Sequence, residues 1–154
     1  MAYAVRTEHA AARPLAAIRA QASQSRLGSE IVSLLDVVWP VLREQGEARP
    51  GHNVVVYHGV SDGMLTIDVG VEVLGQFVPR GDVRLTATPS GDAVTTAHLG
   101  EYSDMGGAYR ALEQWCTANE RRPAGVNWEV YGDWTDDPAK LRTDVFFLLE
   151  PAAR

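Results

Sequence analysis

Apolar positions fall along the chain in two blocks that repeat the same order. In the first, Leu65, Ile67, Val69, Val71 and Val73 alternate with Thr66, Asp68, Gly70 and Glu72, the period of a strand with one buried face. A short apolar run over residues 53–58 precedes it, and Ser61-Asp62-Gly63 between the two is a hairpin turn signal. Upstream, Ile31, Leu34, Leu35, Val38 and Leu42 recur at helical spacing, which predicts a helix from Gly28 or Ser29 to Gly46. Pro40 lies inside it and removes a backbone donor, so a kink or break is expected there. Residues 3–9 and 14–22 predict a hairpin that opens the block.

The second block follows a connection over residues 76–82 that carries Pro79 and Gly81. Residues 83–88 and 93–99 predict a hairpin across Pro-Ser-Gly-Asp. A helix is expected from Ser103 or Asp104 to Asn119, with Met105, Ala108, Leu112 and Trp115 as its core stripe, and two further strands come after it.

Matching the blocks supports an internal duplication. N-V-V-V-Y at 53–57 corresponds to N-W-E-V-Y at 127–131, I-D-V-G-V-E-V at 67–73 to T-D-V-F-F-L-L at 143–149, and Trp39 to Trp115. The expected fold is α+β: a pseudo-twofold duplication of a ββαββ unit, with antiparallel sheets, one helix per half and a ligand groove between the halves. Residues 1–154 are expected to form one domain, with repeats at about 1–75 and 83–150.

Mismatches between the halves are the candidate functional positions. Glu129 corresponds to Val55 and lies in N-W-E-V-Y-G-D-W, the richest aromatic cluster of the chain. If Trp128 and Val130 face the helix with Val54 and Val56, then Asn127, Glu129 and Tyr131 share the opposite face with Asn53, Val55 and Tyr57. Phe146 and Leu148, which replace Gly70 and Glu72, then also lie on that noncore face, where they invite a ligand or a second subunit. Trp39, next to Pro40, is a candidate for one end of the groove, and packing in the core is the alternative. His98 and Tyr102 flank a strand-to-helix turn, where packing or capping is expected.

Composition narrows the chemistry. Hydrophobic residues make up 45% and charged residues 22%, the proportions of an ordinary globular domain. A net charge of −6 argues against nucleic-acid binding by this chain alone, which needs clustered Lys and Arg, and weakly favours cationic ligands. One cysteine and four scattered histidines leave no zinc spacing, so no metal is expected. Neither a nucleophile triad nor a phosphate-binding glycine loop is present, so no cofactor is expected. No apolar run of 18 residues and no signal peptide occur, so the expectation is a cytoplasmic chain without membrane contact, monomeric or homodimeric.

The motifs T-A-H-L-G-E-Y at 96–102, G-A-Y-R-A-L-E-Q-W at 107–115 and W-E-V-Y-G-D-W at 128–134, with R-T-D-V-F-F-L-L behind them, resemble the GyrI-like small-molecule-binding family. This is the effector-binding domain of gyrase-inhibitor proteins and multidrug-sensing regulators. The resemblance implies a pocket in which Glu129 attracts cationic aromatic compounds and Tyr102, Tyr131 and Phe146 form walls; the matched face of the first block and the helix proline add Tyr57, Val55 and Trp39 as further lining. Regulators of this type carry a DNA-binding domain ahead of the module, and the 154 residues here are taken up by the module, which favours a standalone binder or enzyme. Three functions follow from the resemblance. The first is capture of hydrophobic, cationic aromatic drugs or toxins. The second is hydrolysis of strained cyclopropane-type genotoxins, with Glu129 directing water and Tyr102 or Tyr131 assisting. The third is inhibition of a topoisomerase by contact.

Overall fold

The computed structural model describes residues 2–152. In chain order its elements are β1 (Val5–Ala10), β2 (Pro14–Ser23), α1 (Leu27–Arg43), β3 (Pro50–Ser61), β4 (Met64–Val73), β5 (Arg84–Ala87), β6 (Gly91–Leu99), α2 (Gly106–Ala118), β7 (Pro123–Tyr131) and β8 (Arg142–Leu149). They form two compact units, Ala12–Thr88 and Met1–Ala11 together with Pro89–Arg154. Each is a four-stranded antiparallel sheet with one helix, so the α+β class and the duplication expected from the sequence are both present. No helix among the described residues is long and apolar enough to cross a membrane.

In the Ala12–Thr88 unit the strand order is β3-β4-β2-β5. The β3–β4 hairpin turns through Asp62 and Gly63, both at positive φ (53° and 75°), a backbone that matches strand twist and that Gly and Asp tolerate. The two other expected hairpins do not form. β2 pairs with β4 and β5, whereas β1 pairs with β6 in the other unit's sheet. The chain passes from one sheet to the other just before β2 and just after β5. There Arg13 N–H donates to Thr88 Oγ1 at 2.8 Å and Thr88 N–H to the Arg13 carbonyl at 2.9 Å. Adjacency in sequence is thus overridden by the pairing that completes each sheet.

α1 covers one sheet face. Val38 and Leu42 pack on Ala16, Ile18, Val71 and Val73, with Leu34, Leu35 and Trp39 at the margin. The helix does not break at Pro40 but continues to Arg43: the proline lies in the last turn, and the bond it removes, to the Asp36 carbonyl, is a single one near the helix end. In the other unit, of order β1-β6-β8-β7, α2 places Met105, Ala108, Leu112 and Cys116 on Val94, Val145, Phe147 and Leu149. The core stripe therefore continues to Cys116, with Trp115 only partly buried beside it.

On the face of β4 turned away from α1, Gly70 and Asp68 meet β2 directly. A Cβ at Gly70 would lie 2.1 Å from the Ala16 carbonyl oxygen, so the strands approach as closely as they do only with glycine there. Asp68 is buried and receives Arg19 Nε and Nη2 at 2.8 and 3.0 Å and His58 Nε2 at 2.7 Å. Burial alone would raise its pKa. The hydrogen bonds from Arg19 and His58 and their charges outweigh that and hold the carboxyl below the usual range. A depressed folded pKa adds stability above the unfolded value of about 3.9 and loses it as pH falls through the folded value. Asp68→Asn is expected to lower stability at pH 7 by about 1–3 kcal/mol. The gap to wild type should close as the pH is taken below about 4, measured by urea unfolding across pH, and a gap independent of pH would contradict the electrostatic origin.

Candidate functional site

Strand β7 reaches its functional residues after an irregular stretch between Pro123 and Asn127, from which Asn127 pairs with Phe147, Glu129 with Val145 and Tyr131 with Thr143. Directly opposed residues of an antiparallel pair share a face. Val145 and Phe147 pack beneath α2, so Asn127, Glu129 and Tyr131 point to the helix side. This reverses the face expected from the sequence, which put Trp128 and Val130 there. Trp128 and Glu129 are adjacent and both buried, at 3% and 5% exposure, so β7 is buried on both faces and its apolar residues do not identify the helix side.

Glu129 sits among phenols. Tyr109, from α2, donates to Oε2 and Tyr131 donates to Oε1. Asn127 Nδ2 donates to the Tyr109 hydroxyl oxygen at 3.4 Å. Such O–H to carboxylate bonds are charge-assisted and are a main way a buried carboxylate is tolerated. The rings are held as well. Tyr109 tilts against Phe147 with centroids 5.7 Å apart, and Tyr131 meets Tyr102 edge to face at 5.5 Å and 82°. Tyr102 lies in a 3-10 turn ahead of α2 and is 45% exposed. The result is a buried carboxyl group held between phenols, with Tyr102 on the solvent side.

Of the residues singled out from the sequence, Glu129, Tyr131 and Tyr102 are brought together. Phe146 is not. It pairs with Trp128 across the strands and stacks on it at 4.8 Å and 5°, on the face away from Glu129. Trp39, Val55 and Tyr57 belong to the Ala12–Thr88 unit. Val55 and Tyr57 oppose Val69 and Ile67 and are buried on the α1 side. Trp39 Nε1 donates to Asn53 Oδ1 at 2.9 Å, with the Arg43 guanidinium 5.7 Å from its ring centre.

Tyr109 and Asn127 were missed, and the misplaced Trp39–Trp115 correspondence explains why. Aligning the buried pair Val38 and Leu42 with Ala108 and Leu112 sets Trp39 against Tyr109. In each unit that aromatic residue shares a hydrogen bond with the strand asparagine, Trp39 with Asn53 and Tyr109 with Asn127. The signal was present: the residue after Val38 in α1 and after its counterpart Ala108 in α2 is aromatic, and each partner strand begins its motif with Asn. Val55 in one unit and Glu129 in the other then occupy equivalent positions within a shared frame.

A model of the GyrI-like small-molecule-binding domain matches residues 3–150. The chain belongs to the GyrI-like family. Solved structures agree on the fold of this GyrI-like domain. The EcmrR C-terminal domain superposes with a TM-score of 0.78 at 21% identity, covering 99% of this chain and 100% of that one. A hydrolase from Listeria innocua gives 0.64 at 12% identity, covering 95% and 91%. SAV2435, in a structure with bound tetraphenylphosphonium, gives 0.58 at 10% identity, covering 97% and 94%. A search of curated protein sequences finds no match.

Proposed function

We propose that this GyrI-like domain binds hydrophobic aromatic cations at Glu129, with Tyr109 and Tyr131 fixing the carboxylate and Tyr102 offering a ring at the solvent side. The observation that carries this reading is a 5% exposed carboxylate held by two phenol hydroxyls. In a low-dielectric surrounding its charge acts strongly on a cation, and the phenol π faces add about 0.5–2 kcal/mol per cation–π contact. A weakly hydrated, delocalised cation gains most, since it gives up little hydration on entry. The tetraphenylphosphonium in the SAV2435 structure is a ligand of that kind and supports the choice of probe.

Hydrolysis of a strained electrophile is the second reading, and the hydrolase from Listeria innocua among the similar structures keeps it in view. Here both Glu129 oxygens accept from phenols, and a carboxylate bonded in this way retains lone pairs with which to accept from a water.

Titration calorimetry of tetraphenylphosphonium beside neutral triphenylphosphine oxide tests the proposal. Saturable binding that favours the cation by at least about tenfold, about 1.4 kcal/mol, is expected. Equal affinities, or no binding of the cation, would remove the role given to the Glu129 charge. Mass spectrometry after incubation with a cyclopropane-fused aromatic electrophile should show at most one equivalent consumed, and product over many turnovers would favour the hydrolase.

A further inference from the structure

Behind Tyr102 lies a polar link that neither the family nor the ligand reading assigns. His98, near the end of β6, is 3% exposed. Its Nε2 lies 2.8 Å from the Glu101 carbonyl oxygen and its Nδ1 2.8 Å from the Tyr3 hydroxyl. A carbonyl only accepts, so Nε2 carries the proton; in the neutral ring Nδ1 then accepts from Tyr3. The Tyr3 and His98 rings also stack at 6.0 Å and 24°.

The packing around this link is tight. A Cβ at Gly107 would lie 2.9 Å from the Tyr3 ring and one at Gly100 3.4 Å from His98 Nε2, and Gly100 has φ of 137°. Glycine at both positions lets Tyr3 lie against the start of α2 and lets the chain turn sharply beside the imidazole. The Glu101 carbonyl also accepts from Asp104 N–H at 3.1 Å. It is therefore the anchor of the 3-10 turn that carries Tyr102.

We propose that His98 is a positioning residue for the Glu129 site. It holds the Glu101 carbonyl, the carbonyl fixes the turn, and the turn sets Tyr102 against Tyr131, which bonds Glu129. Tyr3 supports His98 from the first residues of the chain. The ring of His98 does not reach the ligand and acts through Tyr102 alone. Its effect on affinity rests on the proposed binding at Glu129, whereas its effect on the tyrosine rings does not.

The experiment has two arms. Without ligand, NMR of tyrosine-labelled protein reads the rings. His98→Phe, which keeps a ring and removes the donor, should shift the Tyr102 and Tyr131 resonances and leave Tyr57 in place. His98→Gln, which retains a donor near the Nε2 position, should stay close to wild type. Unshifted Tyr102 and Tyr131 in folded His98→Phe would overturn the proposal.

With tetraphenylphosphonium, His98→Phe should weaken binding by about three- to tenfold, the range of one hydrogen bond. It should have no effect in a Tyr102→Ala background, because the two residues act in series. Equal losses in both backgrounds would mean a general structural role and would sink the link through Tyr102. If wild type does not bind the cation while the ring shifts appear, the positioning role stands and the ligand reading falls. Should His98→Phe fail to fold, Tyr3→Phe, which deletes only the hydroxyl, carries both arms with the same expected signs.

Discussion

Glu129→Gln is expected to weaken tetraphenylphosphonium binding by about 30- to 100-fold, or about 2–3 kcal/mol, and to leave triphenylphosphine oxide within about twofold of wild type. The substitution keeps shape and removes the charge. Tyr109 and Tyr131 both donate to the carboxylate, and in the variant one phenol meets an amide N–H in place of an oxygen, so that hydroxyl must rotate to accept. Removing a buried charge also removes its desolvation cost, so thermal stability should hold or rise while cation affinity falls. Loss of affinity with unchanged or higher Tm distinguishes recognition from damage to the fold. Calorimetry with both ligands, paired with a melting curve, decides it, and equal loss for both ligands would assign Glu129 to shape alone.

Gly70→Ala is expected to destabilise the Ala12–Thr88 unit by about 3 kcal/mol, the upper range for forcing atoms into a filled interior. The added methyl would meet the Ala16 carbonyl at 2.1 Å and Ala17 Cα at 2.7 Å. Both are backbone atoms in the middle of β2, which is paired on both sides, so no side chain can swing aside. Gly63→Ala is a useful contrast, since its surroundings are open and only its φ of 75° resists the change; it should cost about 1 kcal/mol. Chemical denaturation of the two variants should show the larger loss at Gly70. A reversed order would mean that β2 and β4 separate more readily than their register implies.

Where one face of a strand is apolar and the other polar, the sequence was enough to read the structure. The alternation over residues 64–73 located β4, and the Asp-Gly pair located its turn. The motif around Glu129 located the carboxylate and one of its two tyrosine partners, Tyr131. Faces were illegible where a strand is buried on both sides. Val54, Val55 and Val56 are all at or below 1% exposure, so period two carries no information there, and β7 inherited the error through its alignment to β3. That error sent Glu129 and Tyr131 to the wrong side and so grouped them with Phe146, which lies on the face away from α2 as expected. Tyr109 was hidden for a related reason: it borders the buried stripe of α2, where an aromatic residue reads as core. Strand partners were the third gap. β1 and β5 each join the sheet of the other repeat, and nothing in a local pattern encodes a pairing across some seventy to ninety residues, which is settled by the burial of the completed sheets.

That exchange of edge strands bears on how the chain folds as it leaves the ribosome. Ala12–Thr88 is continuous, so all its strands have been synthesised by residue 88 and it can fold while the rest of the chain is made. The unit that carries Glu129 cannot. Its β1 emerges first and must wait for β6, which begins at Gly91, and β6 in turn waits for β8, which ends at Leu149. A lone strand is a hazard for aggregation, and β1 is suited to the delay: Arg6, Thr7, Glu8 and His9 are all exposed even when paired, the charged, polar character that discourages wrong partners. The sheet around Glu129 is therefore completed only when β1 and β8 come together on either side of β6.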